Sequence, residues 1–212
     1  MVNEANPALP KHLTLTRPSD WVMRFLPLVA AGGRVLDLAC GGGRHGRAFL
    51  GAGYTVVLVD KDCQAVGDLA GNPKAQILTA DLEDGSPWPL RGETFDAVCV
   101  VNYLHRPLFP VLIDSLRPGG VLIYETFARG NEAFARPRNP DHLLRAGELL
   151  EWVSGRLQVV AFEHGIRTDG PLPGVIQRIA AVRDPETTNR DDGEPEPHPL
   201  TPEIHPTKTG PD

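Results

Sequence analysis

Between residues 33 and 183 the chain alternates short, continuously apolar runs with segments in which apolar side chains recur at helical spacing. Apolar runs bounded by Gly, Pro and Asp are the mark of strands buried on both faces, whereas recurrence about every 3.6 residues marks an amphipathic helix. The pattern predicts strands at 33–39, 54–60, 75–81, 95–102 and 121–127, with helices at 43–53, 62–70 and 108–116 on the connections. Pro110 is compatible with the third of these helices because it falls in the first turn, where its missing N–H is not needed. Buried strands joined through helices imply a parallel, doubly wound sheet with right-handed crossovers. A further helix at 145–155 precedes strand-like runs at 156–165 and 174–184, linked only by the turn TDGPLPG. That link is too short for a parallel crossover, so the last two strands are expected to form an antiparallel hairpin. Upstream, SDWVMRFLPLV (19–29) predicts a helix capped by Ser19 or Asp20. The fold class expected is α/β, a mostly parallel seven-stranded sheet ending in that hairpin.

Charge places a boundary near residue 184. The last 29 residues carry eight acidic and two basic side chains, hold seven of the 21 prolines, and include only Leu200 and Ile204 as large apolar residues. Such a composition cannot bury enough surface to offset chain entropy, so 184–212 is expected to be a disordered acidic tail, a solvated extension or a docking segment. Residues 1–183, read as one domain, then balance at zero charge, because the whole chain carries −6. A neutral domain lacks the basic excess of a duplex-binding surface, which argues against a nucleic-acid partner, although a small local patch would suffice to grip an RNA end. No apolar run approaches the roughly 18 to 20 residues that span a bilayer, and no charged leader precedes an apolar segment at the N-terminus, so a soluble cytoplasmic protein with no membrane partner is expected. Cys40, Cys63 and Cys99 are too few and too scattered for a disulfide framework or a metal knuckle, and no metal is inferred.

The chemistry concentrates in VLDLACGGGRHGRAF (35–49), where three glycines end the first strand and open a helix. Glycines let a backbone approach a ligand closely, and the helix behind them offers free N–H groups. Gly41, Gly43 and Gly46 satisfy a literal GxGxxG, a weak sign of a dinucleotide site. Against a pyrophosphate stands Asp37, inside the strand and better suited to an ammonium. Asp60, 19 residues after Gly41, can accept hydrogen bonds from a ribose diol. Asp81 can accept from an adenine amine, with Leu82 and Trp88 as apolar walls. Each carboxylate also has a plain structural role open to it, as turn or helix cap.

Taken together, VLDLACGGGRHG, VVLVDKD, ILTADLED, FDAVCVVNYLH, LRPGGVLIYETF and the terminal hairpin resemble the class I S-adenosylmethionine-dependent methyltransferases over about residues 30–183. GGGRHGRAFLGAGYTVVLVDKD and LLRAGELLEWVSGRLQVVAFEHG look, more narrowly, like the tellurite and selenite resistance branch. The resemblance implies a Rossmann-like fold and S-adenosyl-L-methionine as cofactor. It implies that Asp37 meets the methionyl ammonium, that Ala39, Gly41 and Gly43 line methionine and ribose, that Asp60 holds the diol, that Asp81 and Leu82 hold adenine, and that Asn102 stands at the rim near the sulfonium. Cys40 and Lys61 complete the same two turns. Ala39 replaces the first glycine of the family pattern.

The acceptor is expected beyond strands four and five. NYLHRPLF (102–109) offers Tyr103, His105 and Arg106 as catalytic candidates, His105 as base for an acceptor that arrives protonated. It lacks the Asn/Asp-Pro-Pro-Tyr signature of relatives that methylate amines on adenine, DNA and glutamine. ETFARGNEAFARPRNPDHLL (125–144) is long enough for a lid, and its Arg129, Arg136 and Arg138 suggest an anionic acceptor. Arg17, Tyr103, Glu125, Phe127 and Arg136 are the substrate-binding candidates. The reading is a methyltransferase acting on a small molecule with a soft or anionic acceptor atom. The alternatives are a nucleobase or RNA-end methyltransferase, a non-catalytic donor-binding regulator, and a dehydrogenase.

Overall fold

The structure, a computed structural model, describes residues 15–168, 172–185, 188 and 190–200. One sheet of seven strands runs in the order β3-β2-β1-β4-β5-β7-β6. Strands β1 (Arg34–Leu38), β2 (Thr55–Asp60), β3 (Ala75–Thr79), β4 (Phe95–Val101) and β5 (Leu116–Phe127) are parallel. The last pair, β6 (Gln158–Arg167) and β7 (Gly174–Val182), is the expected hairpin, with β7 antiparallel to β5. The chain reverses its direction of travel across the sheet between β1 and β4, and this switch point opens the crevice in which such sheets bind ligands.

Alternation along the strands divides the interior into two layers. Leu36, Leu38, Val57, Val98, Val100, Leu122 and Tyr124 face helices α3 (Phe109–Asp114) and α4 (Glu148–Val153). Val35, Val56, Leu58, Ala97, Cys99, Val121 and Ile123 face α1 (Asp20–Phe25) and α2 (Arg44–Gly51), where Trp21, Phe25 and Phe49 fill the layer. Asp37 belongs by parity to this second face. It sits in register with Cys99, so a carboxylate enters an apolar layer at the centre of the sheet.

Three elements differ from the sequence pattern for identifiable reasons. The 19–29 helix breaks after Phe25 into a 3-10 turn, Leu26–Leu28, because Pro27 cannot continue an α-helix. Residues 64–69 form a 3-10 helix rather than an α-helix, with Gly67 inside it and no side-chain cap at Cys63. β5 begins at Leu116 rather than 121, since a register shift opposite Phe95–Ala97, with Gly119 at φ +81°, lets RPGG run on as strand instead of closing a turn. Among the described residues of 184–200 there is no helix or strand, and His198 Nε2 lies 2.8 Å from Asp184 Oδ1. Residues 201–212, part of the expected tail, lie outside the described residues. Among the described residues no helix is long and apolar enough to cross a membrane.

The packing of α2 on the sheet depends on Gly46. A Cβ there would meet Leu58 Cδ2 at 2.6 Å and Asp37 Oδ2 at 3.1 Å. Gly46→Ala is therefore expected to lower stability by about 1 to 3 kcal/mol through overpacking, despite the better helix propensity of alanine. Urea unfolding checks this, and an unchanged midpoint would remove the constraint.

Candidate active site

The turn after β1 winds through left-handed backbone at Ala39 (φ +53°), Gly41 (φ +53°) and Gly43 (φ +71°). For Ala39 that region costs roughly 1 to 2 kcal/mol, so the position that departs from the family glycine is held under strain. Beneath the turn, Asp37 is 1% exposed and accepts the Gly46 N–H at 2.7 Å. Burial pushes its carboxyl up to about 7, with the Gly46 N–H and Arg44 pulling the other way. Such a group gains much from a cation placed above it.

Asp60, at the tip of β2, accepts the Gly41 N–H at 2.8 Å on Oδ2 and the Asp62 N–H at 3.2 Å on Oδ1. It ties the glycine turn to the neighbouring strand and is only half-buried. Asp81 is exposed beyond β3 and accepts the Glu83 N–H at 2.9 Å; Leu82 and Trp88 pack at the edge of the apolar layer beside it. Asp37 feels the charge of Asp60, and Tyr103 feels those of Asp60, Asp81 and Glu83, so the tips of four neighbouring strands converge. Cys40 is buried, and burial with the Asp37 and Asp60 charges keeps it a thiol. Lys61 is exposed.

Next to this turn, a cavity of about 210 Å³ is lined by Glu83, Asn102, Tyr103, Leu104, Thr126, Phe127, Pro137 and His142. Asn102, at φ +59°, has its buried side-chain Oδ1 without a hydrogen-bond partner among the described residues, and the buried Tyr103 hydroxyl is in the same state. Burial and the Glu83 carboxylate push the Tyr103 hydroxyl well above the ordinary range, so it stays protonated. Both side chains belong to the cavity lining, where a bound molecule can reach them.

Of the other sequence candidates, Asn102, Tyr103 and Phe127 line the cavity and His105 does not. Arg106 is a clamp: its Nε meets Glu148 at 2.6 Å, and its terminal nitrogens donate to the Asp141 and Leu143 carbonyls and to Glu148. Burial opposes ionisation of Glu148, but the bonds from Arg106 and the Arg145 N–H outweigh it and hold its carboxyl below the usual range. Glu125 is likewise engaged, receiving Arg167 at 2.9 Å, Arg178 at 3.5 Å and the Ser19 hydroxyl at 3.2 Å. Both side chains are engaged in ion pairs within the protein, and neither lines the cavity. The Arg17 guanidinium pairs with Asp20 at the surface, while its carbonyl receives Arg44. Arg136 is exposed on the segment that carries Pro137 into the cavity wall.

Sequence reasoning passed over Glu83, Thr126, Pro137 and His142 in the cavity, and His45 beneath the turn. His45 accepts the Ser19 N–H at 3.2 Å, and burial, helped by Arg44, lowers its titration to about 3, so it is a neutral strut. The i, i+8 spacing of Asp37 and His45 was visible in the sequence, but only helix packing makes them neighbours. Their donor atoms and Cys99 Sγ lie within 4.8 Å of one another, with His45 Nε2 and Asp37 Oδ2 already occupied by backbone N–H groups.

Comparison with known proteins agrees with this geometry. The family profile described as "Methyltransferase domain" matches residues 35–120, the span from β1 to the start of β5. The structure of TehB from Haemophilus influenzae superposes with a TM-score of 0.64 at 16% identity, covering 82% of this chain and 65% of TehB. The N-methyltransferase NodS from Bradyrhizobium japonicum WM9 gives 0.56 at 16% identity, over 77% of this chain and 94% of NodS. Residues 35–120 match a methyltransferase domain, and the fold around them is one that these methyltransferase structures share. Curated relatives of this domain include a tRNA U34 carboxymethyltransferase of Methylococcus capsulatus, 36% identical over 115 residues, and one of Trichlorobacter lovleyi, 34% identical over 123 residues. The matches cover 49% and 51% of this chain and only 35% and 37% of those proteins, so the methyltransferase domain spans little more than a third of their length. These relatives overturn the expectation against a nucleic-acid partner. Overall charge is no argument against such a partner, because recognition of a single-stranded loop needs only a local basic surface, not a basic domain.

The Asp37 carboxyl binds its proton more tightly folded, near 7, than unfolded, near 3.8. Its contribution to stability is thus present at low pH and lost as pH rises from about 4 to about 7. Relative to Asp37→Asn, the unliganded wild type is expected to lose on the order of 1 to 4 kcal/mol across that window and nothing further above it, measured by urea unfolding at stepped pH.

Proposed function

We propose that this chain is an S-adenosyl-L-methionine-dependent methyltransferase whose acceptor is a nucleobase in RNA, with tRNA as the substrate class. The observation that carries the reading is the adjacency of the glycine turn, with its buried Asp37, to a cavity holding two unpartnered polar groups, Asn102 Oδ1 and the Tyr103 hydroxyl. The names of the curated relatives support RNA as the acceptor.

The residues suit the donor. Asp37 would face its ammonium, Ala39, Gly41 and Gly43 its amino-acid and ribose portions, Asp60 the diol, and Asp81 and Leu82 the adenine. When bound, that group supplies a methyl on a sulfonium, ready for in-line displacement. The protein's task is alignment at about 3 Å and exclusion of water, effects that can contribute roughly 7 to 11 kcal/mol. Within the cavity, the protonated Tyr103 hydroxyl donates a hydrogen bond to an acceptor carbonyl. The Asn102 amide reads a neighbouring N–H and C=O edge, and Phe127 forms an apolar wall. Glu83, the carboxylate lining the cavity, stands where a proton from the acceptor can be taken, a place that His105 does not occupy.

Incubation with tritiated S-adenosyl-L-methionine and bulk tRNA is expected to place label in a nuclease-sensitive fraction. Calorimetric binding of S-adenosylhomocysteine with no label in RNA would overturn the acceptor, and no binding at all would overturn the donor. Asp60→Asn keeps an acceptor for the Gly41 N–H but gives up the charged hydrogen bonds to the diol. It is expected to weaken S-adenosylhomocysteine by roughly 1.5 to 3 kcal/mol in the same titration.

A further inference from the structure

The segment from Arg129 to His142 leaves the end of β5 and returns along the rim of the cavity, to which it contributes Pro137 and His142. It is a built platform rather than a loose loop. At its base Ala128 N–H bonds the Val175 carbonyl, Arg129 N–H the Leu144 carbonyl and Leu144 N–H the Phe127 carbonyl. Asn131 is fully buried under it: its amide donates to the Pro137 carbonyl at 3.0 Å and its backbone carbonyl receives the Phe134 and Ala135 N–H groups at 2.8 and 3.0 Å. Gly174 makes room for this anchor, since a Cβ there would stand 2.0 Å from Asn131 Oδ1. Glu132, the one acidic residue in 129–138, accepts the Gly130 N–H at 2.8 Å.

What the platform displays is unusual for this molecule. Phe134 is 46% exposed, and among the described residues it is the only aromatic side chain that is exposed rather than buried or half-buried. Arg129, Arg136 and Arg138 are exposed and, among the described residues, their guanidinium groups have no carboxylate or carbonyl partner. By contrast Arg17, Arg34, Arg47, Arg106, Arg117, Arg145, Arg156, Arg167 and Arg178 all sit in ion pairs. Three exposed cations without ion-pair partners share one anchored segment with an exposed aromatic ring, and that segment supplies Pro137 to the cavity wall; together they match what a single strand of RNA presents: phosphates at regular intervals and a π-face on every base.

We infer that residues 129–138 form the landing surface for the RNA strand flanking the acceptor nucleotide, Phe134 stacking on an adjacent base while Arg129, Arg136 and Arg138 neutralise phosphates. The inference rests on the RNA reading above and adds the surface that delivers the nucleotide. It also reconciles a domain of zero net charge with an RNA substrate, because the grip is local and a few cations suffice for it.

The test uses the full chain, saturated with S-adenosylhomocysteine, and a fluorescein-labelled RNA hairpin with a uridine in its single-stranded loop, followed by anisotropy over a salt series. Phe134→Ala is expected to weaken binding about five- to hundredfold with the salt slope unchanged. The double variant Arg136→Gln/Arg138→Gln should lower the slope of log affinity against log salt by about 0.7 for each phosphate that it no longer neutralises. Arg91→Gln, a change of charge elsewhere, should leave both unaltered, as should the calorimetric affinity for S-adenosylhomocysteine in every variant. Equal hairpin affinity in wild type and platform variants, absence of hairpin binding by the wild type, or displacement of the hairpin as readily by polyglutamate as by unlabelled RNA would each overturn the landing surface. Label transfer to tRNA that persists alongside unaffected hairpin affinity refutes the surface alone. Phe134-dependent binding without label transfer leaves the surface standing and refutes the acceptor reading.

Discussion

A carboxylate at the centre of the sheet, removed from water and met by one backbone N–H, sets the terms for the rest of the molecule. Asp37 can occupy that place only because Gly46 brings the first turn of α2 against β1, and Gly46 can do so only because it has no side chain to strike Leu58. The same packing aims the glycine turn outward and leaves the carboxyl short of partners, a state that burial raises to about 7 and a bound cation would relieve. Packing, backbone conformation and electrostatics are thus one constraint seen three ways.

Around that centre, charged groups that look chemical in the sequence are used to hold elements together. Glu125, Arg167 and Arg178 join β5, β6 and β7 to the Ser19 cap of α1, and His45 reaches the same cap from α2. Arg106 and Glu148 fasten the turn after β4 to the start of α4. Both sets lie beside the crevice, and both leave it walled by a rigid frame. Among the described residues, the polar side chains at the mouth include Glu83, Asn102, Tyr103, Thr126 and His142, beside the arginines of the 129–138 platform.

The two halves of the site differ in construction. The donor side is made of strand tips and one turn, so its parts are fixed by the sheet itself. The acceptor side is made of the turn after β4 and an excursion of β5 that is anchored by Asn131 and Gly174. The fold is shared with TehB and NodS, and on a shared fold it is the loops at the site that differ from one function to another.

Strand positions, the order of helices and strands, the closing hairpin and the place of the glycine turn were legible from the sequence, because hydrophobic period and glycine placement are local properties that survive folding. Boundaries slipped where a single residue competed with the pattern, as Pro27 did in the first helix and Gly119 in β5. The roles of Arg106, Glu125 and His45 were not legible, since whether a charged or polar group meets a substrate or a partner depends on residues far away in the chain, Glu148, Arg167 and Ser19 respectively. Net charge could not decide for or against RNA for the same reason. It sums over the whole chain, while recognition depends on which few cations the fold leaves unpaired beside a cavity, and only the tertiary structure decides that.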